Sequence, residues 1–236
     1  MSSGIFCVQS DKGLSTSNGH YIKYGQKEYL ISCSHSFYDK GIKEINFFTD
    51  PKLENKNIVG SCHLKNLPLP LFHPNDTDTE THEIAVFQLS NEHSDILKSK
   101  NISPSEIAEN TDNLSPQDIL VFEGFDTNLF NDENFEGTLA LNRLRLSYIL
   151  FSKRITGPHP KSSRAPVNCY VAAKNKPNDL GEGFSGSKVV SSSSNKIIGI
   201  YHTSAAPLKN GFDQLTPEGC AIFCSTEKVV QTIKMA

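Results

Sequence analysis

Gly183-Phe184-Ser185-Gly186-Ser187 places one serine between two glycines. Glycine reaches backbone conformations that other residues avoid, so such a segment can turn tightly. A tight turn here exposes the Ser185 hydroxyl and aims the backbone N–H groups of Gly183 and Ser185 at one point. A pair of donors so placed stabilises the oxyanion of a tetrahedral intermediate, usually a large catalytic contribution. Glycine- and serine-rich turns also occur in loops that do no chemistry, so the segment needs companions.

Two others carry suitable groups. In Ile31-Ser32-Cys33-Ser34-His35-Ser36-Phe37 a histidine follows an apolar strand among small residues, which leave room for a substrate and for the ring to swing. A lone histidine of this kind is more often structural. In His82-Glu83-Ile84-Ala85-Val86-Phe87-Gln88-Leu89 an acid stands at the mouth of a strand apolar on both faces. A carboxylate entering a core needs a partner, although a solvated charge at a strand end is the commoner case.

The surrounding chain fits a β protein. Its 236 residues suffice for one large or two small β domains. Most apolar runs are short, β-branched or aromatic, and bounded by Gly, Pro, Asn or Asp. Strands are expected at Tyr21–Tyr24 and Glu28–Ser32, hinged at Gly25-Gln26, then at Ile45–Phe48, Ile58–His63 and Ile84–Leu89. A polar stretch from Asn91 to Gln117 separates the halves, with a short helix expected near Pro104–Glu109. Further strands are expected at Ile119–Glu123, Gly137–Phe151, Cys169–Ala173, Lys188–Ser191, Lys196–Thr203 and Cys220–Cys224. From Ser225 onward a capping residue, an early acid and apolar residues at helical spacing predict a terminal helix.

A net charge of −3 argues against nucleic acid or anionic membrane as partner. No run approaches the roughly 20 apolar residues of a membrane span. None of the six cysteines forms a CxxC pair, so neither a zinc site nor any other cofactor is expected. The start, MSSGIFCVQSDKG, has no secretory pattern. Reduced thiols and a cytoplasmic location are therefore expected.

Taken together, His35, Glu83 and Ser185 occur in an order, and on flanking strands, that resemble the chymotrypsin-like (trypsin-like) serine peptidases. ISCSHSF resembles that family's histidine motif, HEIAVFQL its acid-Ile-Ala strand, and GEGFSGSKVV its Gly-x-Ser-Gly motif. IIGIYHTS resembles the following strand, which lines the specificity pocket. The resemblance runs from about Gly19 to the C-terminus.

It implies an all-β fold of two antiparallel Greek-key barrels with a short C-terminal helix and a cleft between them. The first barrel, over residues 1–105, would carry His35 and Glu83. A linker over 106–118 would lead to a second, over 119–236, carrying Ser185 and the terminal helix. His35 would take the Ser185 proton and pass it to the leaving amine, with the acid holding the imidazole. Gly183 and Ser185 would form the oxyanion hole. The partner implied is a protein or peptide substrate.

Four features depart from the family or divide within it. The acid is Glu83 where the family has Asp, and Asp78 or Asp76 of the preceding loop is the alternative. Phe184 stands where activatable members carry an Asp that pairs with a freed N-terminus. That switch is therefore absent, and the oxyanion hole is either preformed or ordered by an activating protein partner. Ser36 replaces the disulfide cysteine of secreted members. Asp179, six residues before Ser185, matches the pocket acid that receives Arg or Lys, although Asn178-Asp179-Leu180-Gly181 also reads as an ordinary turn. His202 points to Glu or Gln instead but stands one residue late for that motif, and a one-residue offset reverses a strand side chain. Gly219 matches the glycine that keeps the pocket open. Basic P1 residues are the first expectation.

An active, partner-regulated peptidase competes with a protease-like binding module that has lost catalysis and with a viral processing protease. A bacterial defence protease released by a sensor fits the same residues.

Overall fold

The computed structural model describes residues 2–37, 41–55, 57–72, 84–127, 138–141, 143–152, 169–174, 183–205 and 220–236. The first half builds one antiparallel sheet from β1 (Ser3–Ser10), β2 (Gly13–Tyr24), β3 (Lys27–Cys33), β4 (Glu44–Thr49), β7 (Cys62–Leu64) and β8 (Ile84–Gln88), in the order β7-β4-β1-β2-β3-β8. The chain after β7 returns to the far edge, where Leu71 exchanges both backbone hydrogen bonds with Val86, so the sheet curls on itself.

The second half closes fully. Here β9 (Ile119–Phe125), β11 (Arg143–Ser152), β12 (Cys169–Lys174), β13 (Lys188–Ser191), β14 (Ile197–Ala205) and β15 (Cys220–Ser225) form a barrel in the order β11-β12-β15-β14-β13-β9. Both halves have the same connectivity: the first strand pairs with the second and the fourth, and the third with the sixth. That is a repeated Greek-key unit. Between them, β10 (Thr138–Ala140) pairs with β5 (Lys52–Glu54), which pairs with β6 (Asn57–Val59).

Strand periodicity explains why β3 and β8 read as apolar on both faces. Leu30, Ala85 and Phe87 fill the first sheet's interior with Phe6, Phe37 and Phe47. Alternate residues Ile31, Cys33, Ile84 and Val86 face outward and meet Val121, Val190, Ile200 and Cys224 of the second barrel. The second interior gathers Leu120, Phe122, Tyr148, Val189 and Phe223. Three buried layers thus follow from period-2 alternation in strands buried on both sides.

Among the described residues two α-helices complete the fold. The terminal α2 (Thr226–Met235) starts where the sequence places it: Ser225 caps it by accepting from the Glu227 N–H at 3.1 Å. The interior helix lies elsewhere than expected. It is α1, Asn91–Ser99, capped by Ser90. The stretch at 104–109 is extended instead, with Ser105 bridging Ile22 and Ile107 bridging Ile197. Backbone pairing with both halves holds this segment extended. Among the described residues no helix is long and apolar enough to cross a membrane. Cys7, Cys33 and Cys62 are free thiols, and these three and Cys224 are buried.

Candidate functional site

The turn between β12 and β13 is held by contacts from both halves. Gly186 has φ +83° and lies so close to β2 that a Cβ would stand 2.3 Å from the Asn18 carbonyl oxygen. Only glycine fits both constraints. Gly183 has φ +89°. Its carbonyl accepts from the Thr127 N–H at 3.3 Å and the Thr127 hydroxyl at 2.8 Å. Between the glycines, Phe184 is buried in the second barrel's interior, edge-on to Tyr201. Phe184 thus anchors the turn through apolar burial, and Ser185 is left half-buried at the surface of the cleft.

Asn18 joins this turn to the first sheet. It is fully buried. Its backbone N–H donates to the Ser185 carbonyl at 2.9 Å. Its amide nitrogen faces three carbonyls, Phe125 at 2.9 Å, Gly183 at 3.3 Å and Ser185 at 3.4 Å, while Oδ1 accepts from the Phe125 N–H at 2.5 Å. Ser32 on β3 donates to the Asn18 carbonyl, also at 2.5 Å.

Two residues along β2, His20 is likewise fully buried. Its Nε2 lies 2.9 Å from the Gly186 carbonyl, which can only accept, so Nε2 carries the proton. Nδ1 then accepts from the Ser3 hydroxyl at 3.1 Å. Burial, aided by the charges of Lys188 and Arg143, holds the His20 pKa well below the usual imidazole range, against the opposing Gly186 hydrogen bond. The folded state thus excludes a proton that the unfolded chain accepts. Stability from this neutral ring is present above about pH 6.5 and is lost below it, by up to about 1.4 kcal/mol per pH unit. Urea unfolding from pH 7 to 5 should show that slope in the wild type and a shallower one in His20→Gln; equal slopes would remove the assignment.

His35 opens a single 3-10 turn, His35–Phe37, directly after β3. Phe37 anchors it, buried against Phe6 and Phe87, with ring centroids at 5.2 and 4.9 Å. The imidazole is consequently exposed at a fixed position. Its Nε2 lies 3.7 Å from Cys33 Sγ. Burial raises the Cys33 pKa, but the positive charge of His35 and hydrogen bonds from His35, Ser17 and Ser32 outweigh it, and the thiol ends below its ordinary value.

His202 lies between the two groups. Along β14 and β15, Tyr201 opposes Phe223 and Thr203 opposes Ile222, so His202 is the extra residue of a β-bulge. A bulge re-aims a side chain relative to regular strand alternation. The His202 ring meets that of His35 edge-on at 5.7 Å, and its carbonyl accepts from the Ser185 hydroxyl at 3.3 Å. His35 and Ser185, far apart in sequence and carried by different halves, both contact His202. Glu83, Asp76, Asp78, Asp179 and Gly219 lie outside the described residues.

Solved structures share this architecture. A thermostable serine protease, AL20, from an extremophilic microorganism superposes with a TM-score of 0.59 at 10% identity, over 98% of this chain and 94% of its own. The fold is that of the chymotrypsin-like serine proteases. The HtrA-type protease AlgW, solved with a tripeptide, gives a TM-score of 0.58 at 15% identity over 99% of this chain; the match spans 59% of AlgW's own. Tobacco etch virus protease, solved in a catalytically active form with product, gives 0.51 at 12% identity, over 95% of this chain and 72% of its own. No protein-family model and no curated protein matches the sequence.

Asn18, His20 and Thr127 escape sequence reasoning. They carry no apolar periodicity and match no motif, and their importance lies in contacts with residues more than 50 positions away.

Proposed function

We propose that this chain is a serine endopeptidase working through an acyl-enzyme on Ser185. What carries the reading is that the Ser185 hydroxyl and the exposed His35 ring, delivered by different halves of the fold, both meet His202. Ser185 Oγ attacks the peptide carbonyl as His35 Nε2 takes its proton. The Gly183 and Ser185 N–H groups receive the oxyanion. His35 then gives the proton to the leaving amine, and water repeats the sequence to free the acyl group. Glu83 is the acid that orients His35, with Asp78 and Asp76 as substitutes.

Two small movements precede attack. The Ser185 hydroxyl turns from the His202 carbonyl toward His35, and Nε2 leaves Cys33. Substrate or an activating protein partner would drive them, because buried Phe184 leaves nothing for a freed N-terminus to pair with. Free buried thiols favour a reducing compartment such as the cytoplasm.

Specificity has two readings. Asp179 at the pocket floor would select Arg or Lys at P1, with Gly219 keeping the pocket open. The bulge at His202 favours Glu or Gln, because it turns that ring toward the cleft. A fluorophosphonate probe and a peptide library test both levels. The wild type should label at one site and Ser185→Ala at none. Wild-type protein that resists labelling alone, with substrate peptides and with an activating partner is a binding module. A basic P1 profile lost in Asp179→Ser supports the first specificity; an acidic or Gln profile lost in His202→Ala supports the second.

A further inference from the structure

A second constellation lies on the outer wall of the second barrel and shares none of His35, Ser185 and His202. Lys188 on β13, Glu123 on β9 and Arg145 on β11 are direct cross-strand partners, so their side chains form one row. Glu123 serves three cations at once. Lys188 Nζ lies 3.0 Å from Oε1, Arg143 also meets Oε1, and Arg145 Nε stands 4.0 Å from Oε2. This row forms one wall of a cavity of about 400 Å³. The opposite wall comes from the extended linker at Ser105-Glu106 and from the β13–β14 hairpin, which brings Asn195 and Lys196.

Among the described residues the charges around this cavity do not balance. Among the described residues, Arg143, Arg145, Lys188 and Lys196 pair with Glu106 and Glu123, which leaves two positive charges. Asp50, in the β4–β5 turn, also acts on Arg143, and among the described residues one positive charge remains even when it is included. Lys196 is satisfied by Glu106 at 3.3 Å in an exposed pair, so the excess falls on Lys188 and Arg145.

Lys188 is the more telling of the two. It is only 8% exposed. Burial first, then Arg143 and Arg145, push its pKa down to about 8, despite a carboxylate at 3.0 Å. One shared carboxylate does not offset the cost of burying this ammonium beside two guanidinium groups. An anion in the cavity would supply the missing charge. Arg145, whose side chain is 67% exposed, can present its planar guanidinium to that anion while Lys188 contributes a point charge.

We propose that the cavity between this charged row and the β13–β14 hairpin is a binding site for a phosphoryl dianion, held by Lys188 and Arg145. Free phosphate and a phosphomonoester share that chemistry, and the cavity has room for either.

Thermal unfolding and titration calorimetry on the full chain provide the test, with inorganic phosphate and AMP as probes and potassium chloride at matched ionic strength as the reference. Phosphate should raise the wild-type Tm saturably above the chloride reference. Arg145→Gln, a change at an exposed side chain, should weaken binding at least tenfold and leave peptide cleavage intact. Lys188→Gln should abolish binding, with its own melting curve reporting whether it folds. AMP binding more tightly than phosphate assigns the site to phosphomonoesters; equal affinity assigns it to the free ion. A wild-type Tm that follows the chloride reference, or Arg145→Gln binding phosphate within twofold of wild type, overturns the proposal.

Discussion

Ser185→Ala should reduce peptide hydrolysis by about 10⁶-fold in kcat, the scale seen when a serine nucleophile that works in concert with its base is removed. The change deletes one oxygen and leaves the turn intact. Gly183 and Gly186 keep their positive φ, Phe184 stays in the second barrel's interior, and the Ser185 carbonyl still accepts from Asn18. The hydroxyl's hydrogen bond, to the His202 carbonyl at 3.3 Å, is long, so its loss should cost at most about 1 kcal/mol of stability. Initial rates on a chromogenic peptide, together with a urea melt of the same samples, separate the two effects. A variant that melts like the wild type and still cleaves at more than a hundredth of its rate would show that the nucleophile lies elsewhere.

The contrast between these small structural costs and a large chemical one explains what the sequence could disclose. Apolar periodicity reports burial, so β3, β8, β9 and β13 were legible from their valines, isoleucines and phenylalanines. The Gly183–Ser187 turn was legible because its backbone demands glycine. By contrast, β1 and the first half of β2 were not. In β2, Ser15, Thr16, Ser17 and Asn18 look like a loop, and they hide the hairpin that pairs it with β1. Ser17 and Asn18 are nonetheless buried, because the nucleophile turn and Ser32 satisfy their polar atoms. No single-chain pattern announces a buried polar strand whose partners are distant in sequence. The bulge at His202 was hidden in the same way, because it is defined by pairing with β15, which the sequence alone does not display. The helix at Asn91–Ser99 carried its own signals, Ser90 as cap and Ile96 and Leu97 as the apolar side, and the proline at 104 drew the expectation away from them.

Asn18→Asp is the sharpest test of that polar strand. The substitution keeps the shape and replaces a donor by an acceptor. Nδ2 now faces three carbonyl oxygens, on Phe125, Gly183 and Ser185, and an aspartate oxygen there would face all three with nothing to donate. Oδ1 is not the problem, since it already accepts from the Phe125 N–H. A buried anion against three acceptors should cost about 3 kcal/mol or more at pH 7, unless the carboxyl keeps its proton. Keeping it raises the folded-state pKa above the unfolded value near 3.9. The variant's penalty is therefore smallest below about pH 4 and grows as pH rises, by up to about 1.4 kcal/mol per unit, until the folded-state pKa is reached. Urea unfolding of wild type and variant at pH 4.5 and pH 7 should give a difference that widens with pH. The looser turn should also lower kcat, because Asn18 fixes the carbonyls on both sides of Phe184. A penalty below about 1 kcal/mol that does not change between the two pH values would mean that Asn18 does not secure the nucleophile turn.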